Sequence, residues 1–132
     1  MAKKLSEHFS EDEFWCRGQD QGTCNCGHSL KIDSRLIELL EELRDITGGK
    51  PLHINSGYRC PDHNAAVGGV SNSQHTKGTA ADVARPAHLS FDEFAWYVDQ
   101  LPFDGIGLYR FSDFIHCDTR NGGIGSHIYW EG

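Results

Sequence analysis

SQHTKGTAADVA (residues 73–84) sets a histidine in a polar, glycine-containing loop and, seven positions later, an aspartate inside an apolar run. Asp82 stands among Ala80, Ala81, Val83 and Ala84, and these five residues read as a short buried strand. A carboxylate carried into a strand interior is costly unless something positive meets it. Lys77 is one candidate partner and a metal ion is another. The choice between them turns on the rest of the chain.

On either side of that stretch, the pattern alternates between helical and strand periods. Ser10 and Glu13 fit a capping box that opens a short helix through about Trp15. Residues 17–29 are polar and glycine-rich and read as an irregular loop. Asp33 or Ser34 caps the clearest helix, where Leu36, Ile37, Leu39, Leu40, Leu43 and Ile46 form an apolar stripe before Gly48 and Gly49 end it. Residues 51–58 read as a strand running into a turn at Ser56 and Gly57, and residues 60–70 as a short helix or loop. Ser90 and Glu93 form a second capping box ahead of an amphipathic helix. Strand-like pieces follow at 105–109 and 113–118, and a glycine-rich turn at 121–125 leads to a last strand around 127–130. This order predicts an α+β fold with helices packed on one face of a mainly antiparallel sheet.

The 132 residues suit one domain, divided here into a cysteine-containing N-terminal segment (1–32) and a core (33–132). A formal net charge of -7 and the lack of any basic stripe argue against a nucleic-acid partner. No apolar run approaches membrane-spanning length. The beginning MAKKLSEHFS lacks the apolar segment of a secretory signal, so the chain is expected to stay where it is made or to leave by a route it does not encode.

Most of the eight histidines need no function. His8, His88 and His127 stand in polar or terminal settings and read as solvated, His53 as a satisfied core imidazole in a strand, and His63 as a cap for the next segment. His75 and His116 differ. His116 and Asp118 in FIHCD are two apart, which on a strand puts both on one face and Ile115 and Cys117 on the other. Either histidine–aspartate pair alone suits an ordinary hydrogen bond. Two such groups in one small acidic domain favour zinc, which accepts two imidazoles and a carboxylate and leaves a fourth position to water.

SGYR (56–59), the S-x-Q-H-x-x-G-x-A-x-D pattern from Ser73 to Asp82, GIGLY (105–109) and FIHCD (114–118) together resemble the M15 zinc D-Ala-D-Ala carboxypeptidases. The resemblance is to their small single-domain branch, with its endolysins and cell-wall endopeptidases, and it implies a fold like that of Hedgehog-type zinc peptidases. It implies His75, Asp82 and His116 as zinc ligands and Arg59 as the group that binds a substrate carboxylate or carbonyl oxygen. Asp113, three positions before the last ligand, would be the general base, and a turn role for it stays open. Asp118 would orient a ligand imidazole through its other nitrogen, and Gln74 would stand behind the ligands. The implied substrate is a peptidoglycan stem peptide or cross-link, cleaved by a monomer that reaches the wall by phage lysis or other export. Residues 65–73 and 121–127 are expected to form the cleft walls. Two rivals are a zinc-holding module that binds peptidoglycan or a protein without turnover, and a D-Ala-D-Ala dipeptidase; the dipeptidases are longer and use a glutamate that this chain lacks near His116.

Cysteines number five, an odd count for a fully paired set. Cys16, Cys24, Cys26 and His28, with Cys60, suit a second structural zinc, disulfides or free thiols, and the spacing alone does not choose. Cys117, on the face opposite His116, is a poor nucleophile.

Overall fold

A computed structural model describes residues 3–132. Two helices follow from the stripes and caps. Helix α2 (Ser34–Ile46) begins at Asp33, whose side chain accepts from the Arg35 N–H, and buries Leu36, Ile37, Leu39, Leu40 and Leu43. At about 1.5–3 kcal/mol for each buried aliphatic side chain, this face is a large share of the core. Helix α4 (Phe91–Asp99) starts at the Ser90 capping box and buries Phe94 and Val98. Two shorter helices are α1 (Gly18–Gln21) and α3 (Pro61–Ala66). Helix α1 lies inside the stretch expected to be irregular. It is a single turn stopped by Gly22 in the left-handed conformation, too short to leave a periodic pattern.

Five strands, β1 (Ile54–Ser56), β2 (Ala80–Ala84), β3 (Gly105–Tyr109), β4 (Phe114–Asp118) and β5 (Ile128–Glu131), form one sheet in the order β1-β2-β4-β3-β5. All pairings are antiparallel except β3 with β5, which run parallel. The expected α+β class and mainly antiparallel sheet are what the chain adopts.

The register divides the residues between two faces. On one, Ala81, Val83, Ile106, Ile115 and Cys117 join the helices in a single apolar core. On the other, one residue from each strand falls into a row: Ser56 beside Asp82, Asp82 beside His116, His116 beside Gly107 and Gly107 beside Trp130. Strand alternation therefore carries the charged and aromatic residues away from the core and concentrates them on one surface. The N-terminal segment belongs to the same body. Phe9 and Phe14 are in the main core, and the Phe14 carbonyl accepts from the Tyr58 N–H at 2.7 Å.

His53 is a correction. It lies exposed ahead of β1, not in a strand interior, and its carbonyl ties back to the Ala84 N–H at 3.0 Å. Other histidines outside the site tie distant segments together. His8 meets Glu41, His88 donates to the Thr47 carbonyl and His127 to the Leu101 carbonyl. His63 is buried within α3 and pairs with the Thr23 hydroxyl, rather than capping. Among the described residues no helix is long and apolar enough to cross a membrane.

Candidate metal centre

His75 lies in a 3-10 turn (Gln74–Lys77) that leads straight into β2, and Asp82 and His116 face each other across the β2–β4 pairing. All three are buried. Asp82 Oδ1 is 3.1 Å from His75 Nε2 and 3.2 Å from His116 Nδ1. The other nitrogen of each ring is fixed from behind. His75 Nδ1 is 2.7 Å from the Gly57 carbonyl, and His116 Nε2 is 2.8 Å from Asp118 Oδ2. A carbonyl and a carboxylate can only accept, so Nδ1 of His75 and Nε2 of His116 must donate. In the neutral rings, the nitrogens turned towards Asp82 are then the ones with lone pairs. Three electron-rich atoms converge at a point where nothing on the protein supplies a proton to a neutral ring.

That donor set fits a metal ion. A tetrahedral zinc with bonds of about 2.0–2.1 Å separates its ligand atoms by about 3.3–3.4 Å, close to the two separations seen here. Both rings are held by acceptors on their remote nitrogens, the arrangement that fixes the tautomer of metal-binding histidines. Burial works against the charged form of Asp82, but where the rings are protonated their hydrogen bonds from His116 and His75 outweigh it and hold the carboxyl well below the usual range; a cation among the three groups would take the place of those protons. For Asp118, burial is likewise outweighed by His116 and Arg120, and its carboxyl is also held low. Lys77, the alternative partner for Asp82, is exposed, while the charges around Asp82 are His75, His116 and Arg59.

Around this point is a cleft of about 500 Å³. Arg59 enters it from the loop after β1, its backbone N–H bonded to the His75 carbonyl at 3.1 Å and its Nη2 3.6 Å from Asp82 Oδ2. Ser56 and the Asn64 side-chain oxygen hold the same guanidinium at 3.3 Å each. The opposite side is built from Arg120, Trp130 and Tyr109. Arg120 grips Asp118 through Nε and Nη2 and lies over the Trp130 ring, and that indole rests 5.0 Å from the His116 ring. Two glycines of GIGLY make this packing feasible. A β-carbon at Gly105 would fall 2.1 Å from Asp118 Oδ2, and one at Gly107 would fall 2.6 Å from the Trp130 indole.

The remaining expected positions divide. Gln74 lines the cleft, but its side-chain oxygen accepts from the Thr79 hydroxyl at 2.9 Å instead of supporting a ligand. Residues 68–70, 72 and 73 form one wall as expected; the 121–127 turn does not line the cleft. That turn is drawn away by the buried Asp104, whose carboxylate accepts from the backbone N–H groups of Asn121, Gly123, Ile124 and Ser126. Nor does the structure bring Asp113 to the ligands. Its φ of 61° turns the exposed carboxylate towards Arg85, which it meets at 2.8 and 2.9 Å. Arg120 and Trp130 were missed by the sequence reading. The only available signal was Arg120 two residues beyond Asp118, the spacing that returns a side chain to the same face.

A model of the family described as Peptidase M15 matches residues 7–118. The "Zinc D-Ala-D-Ala carboxypeptidase" of Streptomyces albus G is 46% identical over 44 residues, which are 33% of this chain and 17% of that protein. The "Peptidoglycan L,D-endopeptidase MepK" of Shigella flexneri is 32% identical over 94 residues, 67% of this chain and 51% of that protein. The chain spans about half, or less, of the length of these curated relatives.

Proposed function

The chain belongs to the peptidase M15 family, and on that premise we propose that it is a zinc-dependent peptidase hydrolysing peptide bonds of peptidoglycan stem peptides or cross-links, of carboxypeptidase or endopeptidase type. His75, Asp82 and His116 hold the ion in this reading. The observation that carries it is the convergence of two imidazole lone pairs on Asp82, each ring held from behind by an acceptor. The names of the two relatives support the substrate class.

Bound zinc would supply Lewis acidity and a water that ionises near neutral pH. The chain's own residues do the rest. Arg59 is pinned by Ser56 and Asn64 before any substrate arrives, so its positive charge is preorganised for an oxygen that gains negative charge as the carbonyl is attacked. Tyr109 accepts from the Trp130 indole N–H at 3.0 Å and keeps its own phenolic proton to donate into the cleft. The indole shields one face of His116 from water. Asp82 and Asp118 offset Arg59 and Arg120, so a bound divalent cation would leave the cleft net positive in a chain of net charge -7 and favour an acidic peptide there over the rest of the surface. Every residue invoked comes from one chain, so a monomer suffices.

The position of Asp113 against Arg85 favours the rival reading, a module that holds the ion and binds peptidoglycan without turnover. Defined muropeptides incubated with the protein, with and without a chelator, and analysed by mass spectrometry separate the two. The proposal expects cleavage that chelator abolishes and zinc restores. Cleavage unaffected by metal removal would refute it, and binding without any product would establish the module instead.

A further inference from the structure

Four of the five cysteines lie together on the N-terminal side of the molecule, outside the cleft. Cys16 follows the first turn, Cys24 and Cys26 sit on the loop after α1, and Cys60 caps the N-terminus of α3. Their sulfurs all lie within 4.8 Å of one another. Cys16 and Cys24 are 3.9 Å apart, and Cys24 and Cys26 are 3.5 Å apart. A tetrahedral zinc with Zn–S bonds of about 2.3 Å sets its sulfurs about 3.8 Å apart. A disulfide needs about 2.05 Å, and all four are free thiols.

The surroundings of the sulfurs point the same way. Backbone N–H groups are directed at three of them: Cys60 N–H at Cys16 Sγ (3.4 Å), Ser29 N–H at Cys26 Sγ (3.4 Å) and His63 N–H at Cys60 Sγ (3.5 Å). Thiols are weak donors and weak acceptors and gain little from facing one another. Thiolates bound to a cation are a different case, because each sulfur keeps lone pairs for the N–H groups around it. His28, which the sequence grouped with these cysteines, is elsewhere: it pairs with Asp20 at 2.7 Å and stacks on Trp15. The set is four sulfurs, a chemistry that selects a soft tetrahedral ion.

We propose that Cys16, Cys24, Cys26 and Cys60 form a second, structural metal site that takes a thiolate-binding divalent ion of the zinc class. Such an ion ties the segment around residues 16–26 to residue 60, the neighbour of Arg59. It cross-links the N-terminal segment to the loop that aims the cleft arginine. The site stands whether or not the cleft hydrolyses peptides.

The test is metal stoichiometry on the full chain purified under reducing conditions without chelator. Zinc is expected at two equivalents per chain, falling to one in Cys24→Ser/Cys26→Ser and to one in His75→Ala/His116→Ala. Cobalt substituted for zinc is expected to give the intense thiolate-to-metal charge-transfer absorption in the wild type and in the histidine variant. Should the cysteine variant fail to fold, the histidine variant still decides. If it folds yet binds no zinc and gives no thiolate–cobalt band, the second site is refuted, whatever becomes of the cleft.

Discussion

Asp118→Asn removes one charge while preserving shape, and its consequence can be worked out atom by atom. The Asp118 carboxylate is fully buried, accepts the Nε2 proton of His116 at 2.8 Å, and accepts from Arg120 Nε and Nη2 at 3.0 and 2.7 Å. An amide in its place has a single acceptor oxygen. With that oxygen turned to Arg120, the amide offers an N–H to His116 and drives the ring to the tautomer protonated at Nδ1. That nitrogen faces Asp82 and is the one the metal needs free. Turned the other way, the oxygen keeps the His116 proton but the amide N–H groups meet the Arg120 backbone N–H and Nε–H, and a neutral amide accepts less strongly than a carboxylate, so the ring becomes a weaker ligand either way. Groups that orient ligand imidazoles contribute about 10–100-fold to metal affinity. In free energy this is about 1.4–2.7 kcal/mol. The assay is competition for zinc against a chromophoric chelator, with thermal unfolding of the metal-free proteins in parallel to confirm the fold. Arg120→Ala is the control: it leaves the His116 bond in place and is expected to weaken zinc binding less. A folded Asp118→Asn protein with wild-type zinc affinity would refute the tautomer argument.

Three other substitutions test separate parts of the account. Arg59→Ala is expected to lower kcat/KM on a cleaved muropeptide by about 10²–10³-fold, the range for loss of one preorganised group at a developing oxyanion; a loss under tenfold would remove Arg59 from that role. Asp113→Asn is expected to leave turnover near wild type, because its carboxylate pairs with Arg85 outside the cleft. Its effect on stability should be slight, as for other exposed ion pairs, and near-complete loss of activity would return Asp113 to the chemistry. Asp104→Asn is expected to cost about 3 kcal/mol near neutral pH, since an amide oxygen cannot satisfy all four N–H groups now bonded to the carboxylate. Burial opposes the Asp104 charge, but the N–H groups of Ser126, Gly123 and Asn121 outweigh it and hold the carboxyl below its ordinary value. A depressed carboxylate stabilises the fold above the unfolded pKa of about 3.9 and loses that contribution as pH falls through the folded value. The stability gap between the two proteins, read from urea unfolding, should therefore narrow below about pH 4, and a gap independent of pH would contradict the assignment.

How much of this was legible in the sequence depends on how local each signal is. The five residues of β2 were readable because Ala, Val and a lone Asp together say both strand and buried charge. FIHCD was readable because alternation alone separates His116 and Asp118 from Ile115 and Cys117. Helix α2 announced its buried face and its cap within thirteen residues. The illegible features are those set by distant partners or by one dihedral. Nothing near Asp113 announces its φ of 61°, which sends the carboxylate to Arg85 at the end of β2. Trp130 reaches the site only because β5 pairs with β3 in parallel and Gly107 has no side chain. The cysteines were grouped from the sequence, Cys60 included, but the choice among metal, disulfides and free thiols was not legible, because it depends on how more than thirty intervening positions bring Cys60 to Cys16, Cys24 and Cys26.

Anomalous scattering at the zinc edge, from crystals grown with zinc in excess, tests the central claim most directly. The account predicts a peak about 2.0–2.2 Å from His75 Nε2, an Asp82 oxygen and His116 Nδ1, with room left for one further ligand. Density showing those side chains turned apart, with no peak between them, would contradict it.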